Sequence, residues 1–201
     1  VLRSAIAALS LFAVLAVQPA LSAAEPTRTL SIVTDPAPGR ATQHGLGKLE
    51  SALVARGCTV EIVNSAAAAT GARRVIASTN VTGSLAVPES LAISRVPQAA
   101  GAPLLALRGA DDRGLMFAAL DAADRVAWAG DPAEPFSEIR DTTEQPAVRD
   151  RSLSVYTMNR AQWESRFYDE RYWERYFDTL AASRFNRFLI VLGYENGGFL
   201  A

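Results

Sequence analysis

Apolar and polar positions first alternate in RTLSIVTDP, Arg28 to Pro36, which predicts a strand ending on a proline-rich loop. The period then changes. In TQHGLGKLESALVARG, Leu46, Leu49, Leu53 and Val54 recur at helical spacing, and Gly57 supplies a stop. CTVEIVNS, from Cys58 to Ser65, returns to alternation. RRVIAST (Arg73 to Thr79), SLAISRVP (Ser90 to Pro97) and APLLALRGA (Ala102 to Ala110) are three further strand candidates. DDRGLMFAALDAADRVAWAG then sets Leu115, Ala119, Ala122 and Val126 on one helix face, with Asp111 or Asp112 as cap and Gly130 as end. The order β-α-β-β-β-β-α predicts a small α/β sandwich with its helices on one face.

The stretch Gly130 to Val148 carries three prolines among scattered polar residues and reads as a linker. Beyond it the pattern starts afresh. RSLSVYT, Arg151 to Thr157, predicts a strand. Asp169 caps a helix running to about Ser183, with Trp173, Phe177, Leu180 and Ala181 on one face. FLIVLGY, Phe188 to Tyr194, is continuously apolar, as a parallel strand covered on both faces should be. Strand, helix and strand make one βαβ unit, whose open edges need partners before it is stable. The chain is therefore expected to stop inside its second domain.

Composition adds one decision and charge adds another. With 49% hydrophobic and 20% charged residues the chain is expected to fold rather than stay disordered. A net charge of -1 gives no electrostatic case for nucleic acid or an anionic membrane. The N-terminus is more informative. A single Arg3 precedes a mostly apolar run from Ala5 to Val17, followed by small residues at Ala20, Ser22 and Ala24. That run is short for a membrane span and matches the apolar region of a secretory leader over residues 1–24. The expected location is secreted or periplasmic.

Candidate chemistry is sparse. Gly45 and Gly47 lie between a strand and a helix, but Glu50 breaks a dinucleotide fingerprint. Thr42 and Leu49 break a phosphate loop in the same way. His44 is the only histidine, so neither a zinc motif of two histidines nor a Ser-His-Asp triad can be assembled. It is read as a helix-start residue. Cys58 is the only cysteine and reads as a small apolar core residue. No cofactor or metal is called for. The acid pairs Asp111-Asp112 and Asp169-Glu170 sit at helix starts, where carboxylates cap free N–H groups. The aromatic density of QWESRFYDERYWERYF reads as packing of a helix against a barrel. Thr157, Met158 and Asn159 follow one strand and Tyr194, Glu195 and Asn196 follow the next, at the end where a (β/α)8 barrel holds its site.

Two segments together resemble the large glycoside hydrolases of the hexosaminidase (family 20) and α-glucuronidase (family 67) type. DDRGLMFAALDAADRV is similar to the helix that closes their N-terminal accessory domain. PAVRDRSLSVYTMNR, with YWERYFDTLAASRFNRFLIVLGY after it, is similar to the entry into their catalytic barrel. The resemblance implies that Arg151 stands at the place of the family 20 arginine that grips sugar hydroxyls. Ser152 follows it instead of glycine, and the aspartate usual in that strand is missing. Asn186 matches an asparagine that precedes the second strand. The catalytic Asp-Glu pair of family 20 has no counterpart in this chain.

The expected organisation is a leader (1–24), an α/β accessory domain with a mixed sheet (27–130), a linker (131–148) and the first βαβ unit of a truncated (β/α)8 barrel (149–201). The expected function is that of the N-terminal part of an exported glycoside hydrolase, with a carbohydrate as its partner. Arg151, Asn159, Tyr194, Glu195 and Asn196 are the candidate substrate contacts. The alternative is a non-catalytic carbohydrate-binding or scaffold module.

Overall fold

The computed structural model describes residues 28–79, 85–96 and 104–192. Six strands, β1 (Arg28–Thr34), β2 (Cys58–Val63), β3 (Arg73–Ser78), β4 (Leu91–Val96), β5 (Leu104–Gly109) and β6 (Thr142–Glu144), form one sheet in the order β2-β1-β3-β5-β4-β6. β2, β1, β3 and β5 run parallel. β4 is antiparallel to β5, and β6 is antiparallel to β4. The fold is α/β with a mixed sheet.

Both helices of this sheet, α1 (Arg40–Ala55) and α2 (Asp112–Trp128), lie side by side on one face. The strand residues that point at them are fully buried: Leu30 and Ile32 of β1, Val75 and Ala77 of β3, Leu91 and Ile93 of β4, Leu105 and Leu107 of β5. α1 meets them with Leu46, Leu49 and Leu53. Val54, placed on the same stripe by spacing, is 54% exposed. α2 is apolar nearly all round, from Leu115 to Ala123, because sheet, α1 and a later helix each cover part of it.

Gly45 explains how the two helices come so close. A β-carbon there would lie 2.9 Å from the Met116 carbonyl oxygen of α2, whereas one at Gly47 would meet nothing within 4 Å. The Gly-x-Gly pattern is thus a helix crossing inside α1, which starts at Arg40. On the opposite sheet face the Ser31 hydroxyl donates to Glu61 at 2.5 Å and accepts from the Gly71 N–H at 2.7 Å. That hydroxyl, helped by Thr70 and Gly71, holds the Glu61 carboxyl down to about 2.

The stretch expected to be a linker is folded onto the sheet domain. Phe136 and Ile139 are each 2% exposed within the core, and Thr142–Glu144 forms the edge strand β6. Prolines there stop helix and central strand but leave side chains free to dock. β7 (Ser152–Tyr156), α3 (Arg160–Phe167), α4 (Glu170–Ala182) and β8 (Arg187–Val191) follow. β7 and β8 pair in parallel, with Ser152 opposite Arg187 and Tyr156 opposite Val191. α4 is capped by Asp169, as expected. α3 was not expected; it is nucleated by Asn159, whose side chain accepts from the Gln162 N–H at 3.2 Å. Residues 1–24, the expected leader, lie outside the described residues.

Candidate functional site

The C-terminal ends of β1, β3 and β5 open a cleft lined by Asp35, Gly39, Thr42, Thr79, Asp111 and Asp112. Ligands of open parallel sheets bind at such strand ends, and helix N-termini there favour anions. Here the protein's own carboxylates occupy both helix starts. Asp111 caps α2 through the Gly114 N–H at 2.8 Å and also accepts from the Glu89 N–H at 3.0 Å. Asp112 reaches across to α1 and accepts from the N–H groups of Ala41 and Thr42, both at 3.1 Å. Asp35 accepts from the Thr79 N–H at 2.9 Å and from the Ser78 hydroxyl at 2.7 Å. Burial pushes its carboxyl up, but these donors and the Thr79 hydroxyl outweigh that and hold it below the usual range. A phosphate would have to displace carboxyl groups already hydrogen-bonded to these N–H donors.

A second cluster joins the sheet domain to the β7–β8 unit. Its centre is Glu89, just before β4, with a side chain only 9% exposed. Glu89 accepts from Arg113 of α2 at 3.0 Å, from Arg151 ahead of β7, and from the Asn186 amide ahead of β8 at 3.1 Å. Burial pushes its carboxyl up, and hydrogen bonds from Arg151, Arg113 and Asn186 more than reverse this, leaving it below the ordinary carboxylate range. Arg184, close by, pairs with Glu144. Glu89 and Arg184 are the non-glycine residues in the left-handed region among the described residues, at φ 63° and 62°. Such conformations persist where the surroundings over-determine them.

This geometry relocates Arg151, which the resemblance assigns to sugar binding. It lies just ahead of Ser152, at the N-terminal end of β7. Its guanidinium is spent on Glu89, on the Arg184 carbonyl at 2.6 Å and on the Val148 carbonyl at 2.8 Å. Asn186 belongs to the same junction, accepting the Arg151 N–H at 2.9 Å.

At the other end of the strands, Thr157 is fully buried and fixes the rim. Its N–H donates to the Val191 carbonyl at 3.0 Å and its hydroxyl donates to the same oxygen at 3.3 Å. Asn159 sits on this rim as the cap of α3. Tyr194, Glu195 and Asn196 lie outside the described residues. Sequence reasoning passed over two residues. Glu89 left no signal, because nothing in Pro88-Glu89-Ser90 marks a left-handed glutamate. Tyr156 was visible in the alternation of Ser152, Ser154 and Tyr156 against Leu153 and Val155.

The aromatic side chains of α3 and α4 form one cluster behind β8. Trp163 stacks on Trp173 at 6.2 Å, and Phe188 meets Trp173, Tyr176 and Phe177 at 5.8, 5.6 and 5.2 Å. They are packing residues. The sole histidine and the sole lysine, His44 and Lys48, both reach Asp178 of α4, at 3.5 and 2.6 Å. His44 is therefore a second contact between α1 and the later unit, one turn inside its helix.

No family model matches the chain, and no curated protein matches it. Among solved structures it is similar to a GH138 enzyme targeting pectin rhamnogalacturonan II. The TM-score is 0.64 at 15% identity, over 82% of this chain and 19% of that one. This chain spans about a fifth of the length of that enzyme. At such identity the likeness shows a fold, one found within a glycoside hydrolase. Residues 1–148 amount to less than three quarters of the chain, so a match of 82% extends into the β7–β8 unit.

Proposed function

We propose that the chain is the N-terminal part of an exported glycoside hydrolase that acts on glycans or polysaccharides. The observation that carries this is the joint arrangement. A mixed-sheet domain is followed by a parallel β–α–β unit, and one likeness to a glycoside hydrolase runs across both. In this reading β7 and β8 are the first two strands of a (β/α)8 barrel, and the sheet domain is bolted to the barrel's N-terminal end through Glu89. Sugar binds at the opposite end, beyond Tyr156 and Val191. The two carboxylates that cleave a glycosidic bond then lie on strands beyond residue 201. Kinship with the hexosaminidase and α-glucuronidase types rests on the motifs alone, and export on the leader pattern of residues 1–24.

The test uses the product of the whole reading frame. It is assayed against a panel of p-nitrophenyl glycosides and against plant polysaccharides, with pectin containing rhamnogalacturonan II among them. Release of a sugar from any of these supports the reading. Saccharide binding with no hydrolysis across the panel replaces it with the non-catalytic module.

A further inference from the structure

Tyr156 is the last residue of β7, and its side chain points away from α4. The alternation settles the direction: Val155 is buried on the helix side, so Ser152, Ser154 and Tyr156 look out from the other. On β8, Phe188 faces the rings of α4, which puts Arg187, Leu189 and Val191 on the same free face. Tyr156 stands beside Val191 in register and is 61% exposed. Its ring is outside the aromatic cluster, and its phenol meets no hydrogen-bonding partner among the described residues.

Its backbone is nonetheless anchored on both sides, by the pairing of β7 with β8 and by the residue that follows. Thr157, the next residue, is buried and tied twice to the Val191 carbonyl. A large aromatic side chain is thus held at the C-terminal rim of the strand pair, above serines too small to fill the same face. Barrel interiors are filled mainly by branched aliphatic residues, and a buried phenol needs a partner for its hydroxyl.

We infer that Tyr156 is a substrate-contact residue: its ring lies against the C–H face of one pyranose, and its hydroxyl hydrogen-bonds a sugar hydroxyl. A pyranose offers an apolar C–H patch edged by hydroxyls, and tyrosine matches it with an apolar body and a polar tip. The inference rests on the glycoside hydrolase reading above.

The experiment compares the full-length wild type with Tyr156→Phe and Tyr156→Ala, using the p-nitrophenyl glycoside that the wild type cleaves fastest. Tyr156→Phe should lower kcat/KM about tenfold through loss of one hydrogen bond, with the melting temperature unchanged. Tyr156→Ala should lose more, about a hundredfold, as the apolar contact goes too. Wild-type kinetics in Tyr156→Phe would overturn the inference. So would an alanine variant that melts several degrees lower while its folded fraction keeps full activity, since that marks a barrel filler. If Tyr156→Ala does not fold, the phenylalanine variant carries the test alone. A wild type that cleaves no glycoside removes the underlying reading, and this inference with it, before any variant is made.

Discussion

The sheet domain and the β7–β8 unit differ in what their apolar residues achieve. In the sheet domain Leu30, Ile32, Leu49, Leu53, Val75, Leu105 and Leu107 are all at or below 1% exposure. The later unit is richer in aromatic residues, yet Val155 and Leu180 are its buried apolar side chains, while Met158, Tyr168 and Leu189 stay more than half exposed. Apolar content does not make a core; layers do. The sheet has helices across one whole face, and α1 and α2 cover each other's flanks. Among the described residues the β7–β8 pair has a helix layer on one face and none on the other, with two strand edges free. Among the described residues, burial is lopsided: the sheet domain closes its own core, and the later unit packs through one helix face and the Glu89 junction.

The sharpest way to test that contrast is one substitution made twice. Leu53→Ala should destabilise the protein by about 3–5 kcal/mol, because it leaves a cavity in a closed core. Leu189→Ala, made in the 201-residue chain, should change stability by less than about 0.5 kcal/mol, because about half of its side chain is already exposed there. Urea midpoints decide between them, and equal losses would break the contrast.

Next in size is the junction. Glu89→Ala strips Arg151, Arg113 and Asn186 of their common acceptor and should cost about 3 kcal/mol. The readout is faster proteolysis between residues 144 and 151, with the sheet domain left intact. Unchanged cleavage would mean that the later unit is held by other contacts.

The same carboxylate gives a pH dependence with a definite sign. Its folded pKa lies below the ordinary 4.5, so its stabilisation is complete above that value and is lost as pH falls through the folded value. Protease sensitivity of the 144–151 stretch should be flat from pH 7 to 5 and rise below about 4.5. Glu89→Gln should flatten the curve. A rise already at pH 6 would point to another group.

The smallest effects carry opposite signs. Gly45→Ala forces its β-carbon against the α2 backbone and should cost about 1–3 kcal/mol. Gly47→Ala, two residues on and facing open space, should gain up to about 1 kcal/mol from helix propensity. Thermal melts of the two variants moving the same way would deny that α1 and α2 touch at Gly45.

These pairs also mark what was legible in the sequence. Strand alternation and the Leu46–Leu49–Leu53 stripe carried the order of elements, because period follows directly from which side is covered. The spacing left Asp111 and Asp112 as alternative caps of one helix, and in the fold each caps a different one. β6 escaped because three polar edge residues, Thr142 to Glu144, need no apolar alternation to pair. Phe136 and Ile139 escaped because a proline-rich stretch hides docking side chains. The motif gave Arg151 its order in the chain, while its pairing with Glu89 and with the Arg184 carbonyl is set by segments far apart in sequence. Glu89 was beyond reach, since a left-handed backbone is imposed by partners from distant segments.

The cap that Asp112 provides has a consequence for how the chain is made. Gly39 offers α1 no side-chain cap of its own, so the N–H groups of Ala41 and Thr42 wait for a carboxylate some 70 residues downstream. On the ribosome, where the N-terminal part emerges first, the helix over 40–55 keeps an open end until that aspartate appears. The N-terminal end of α1 is thus completed only by the residue that begins α2.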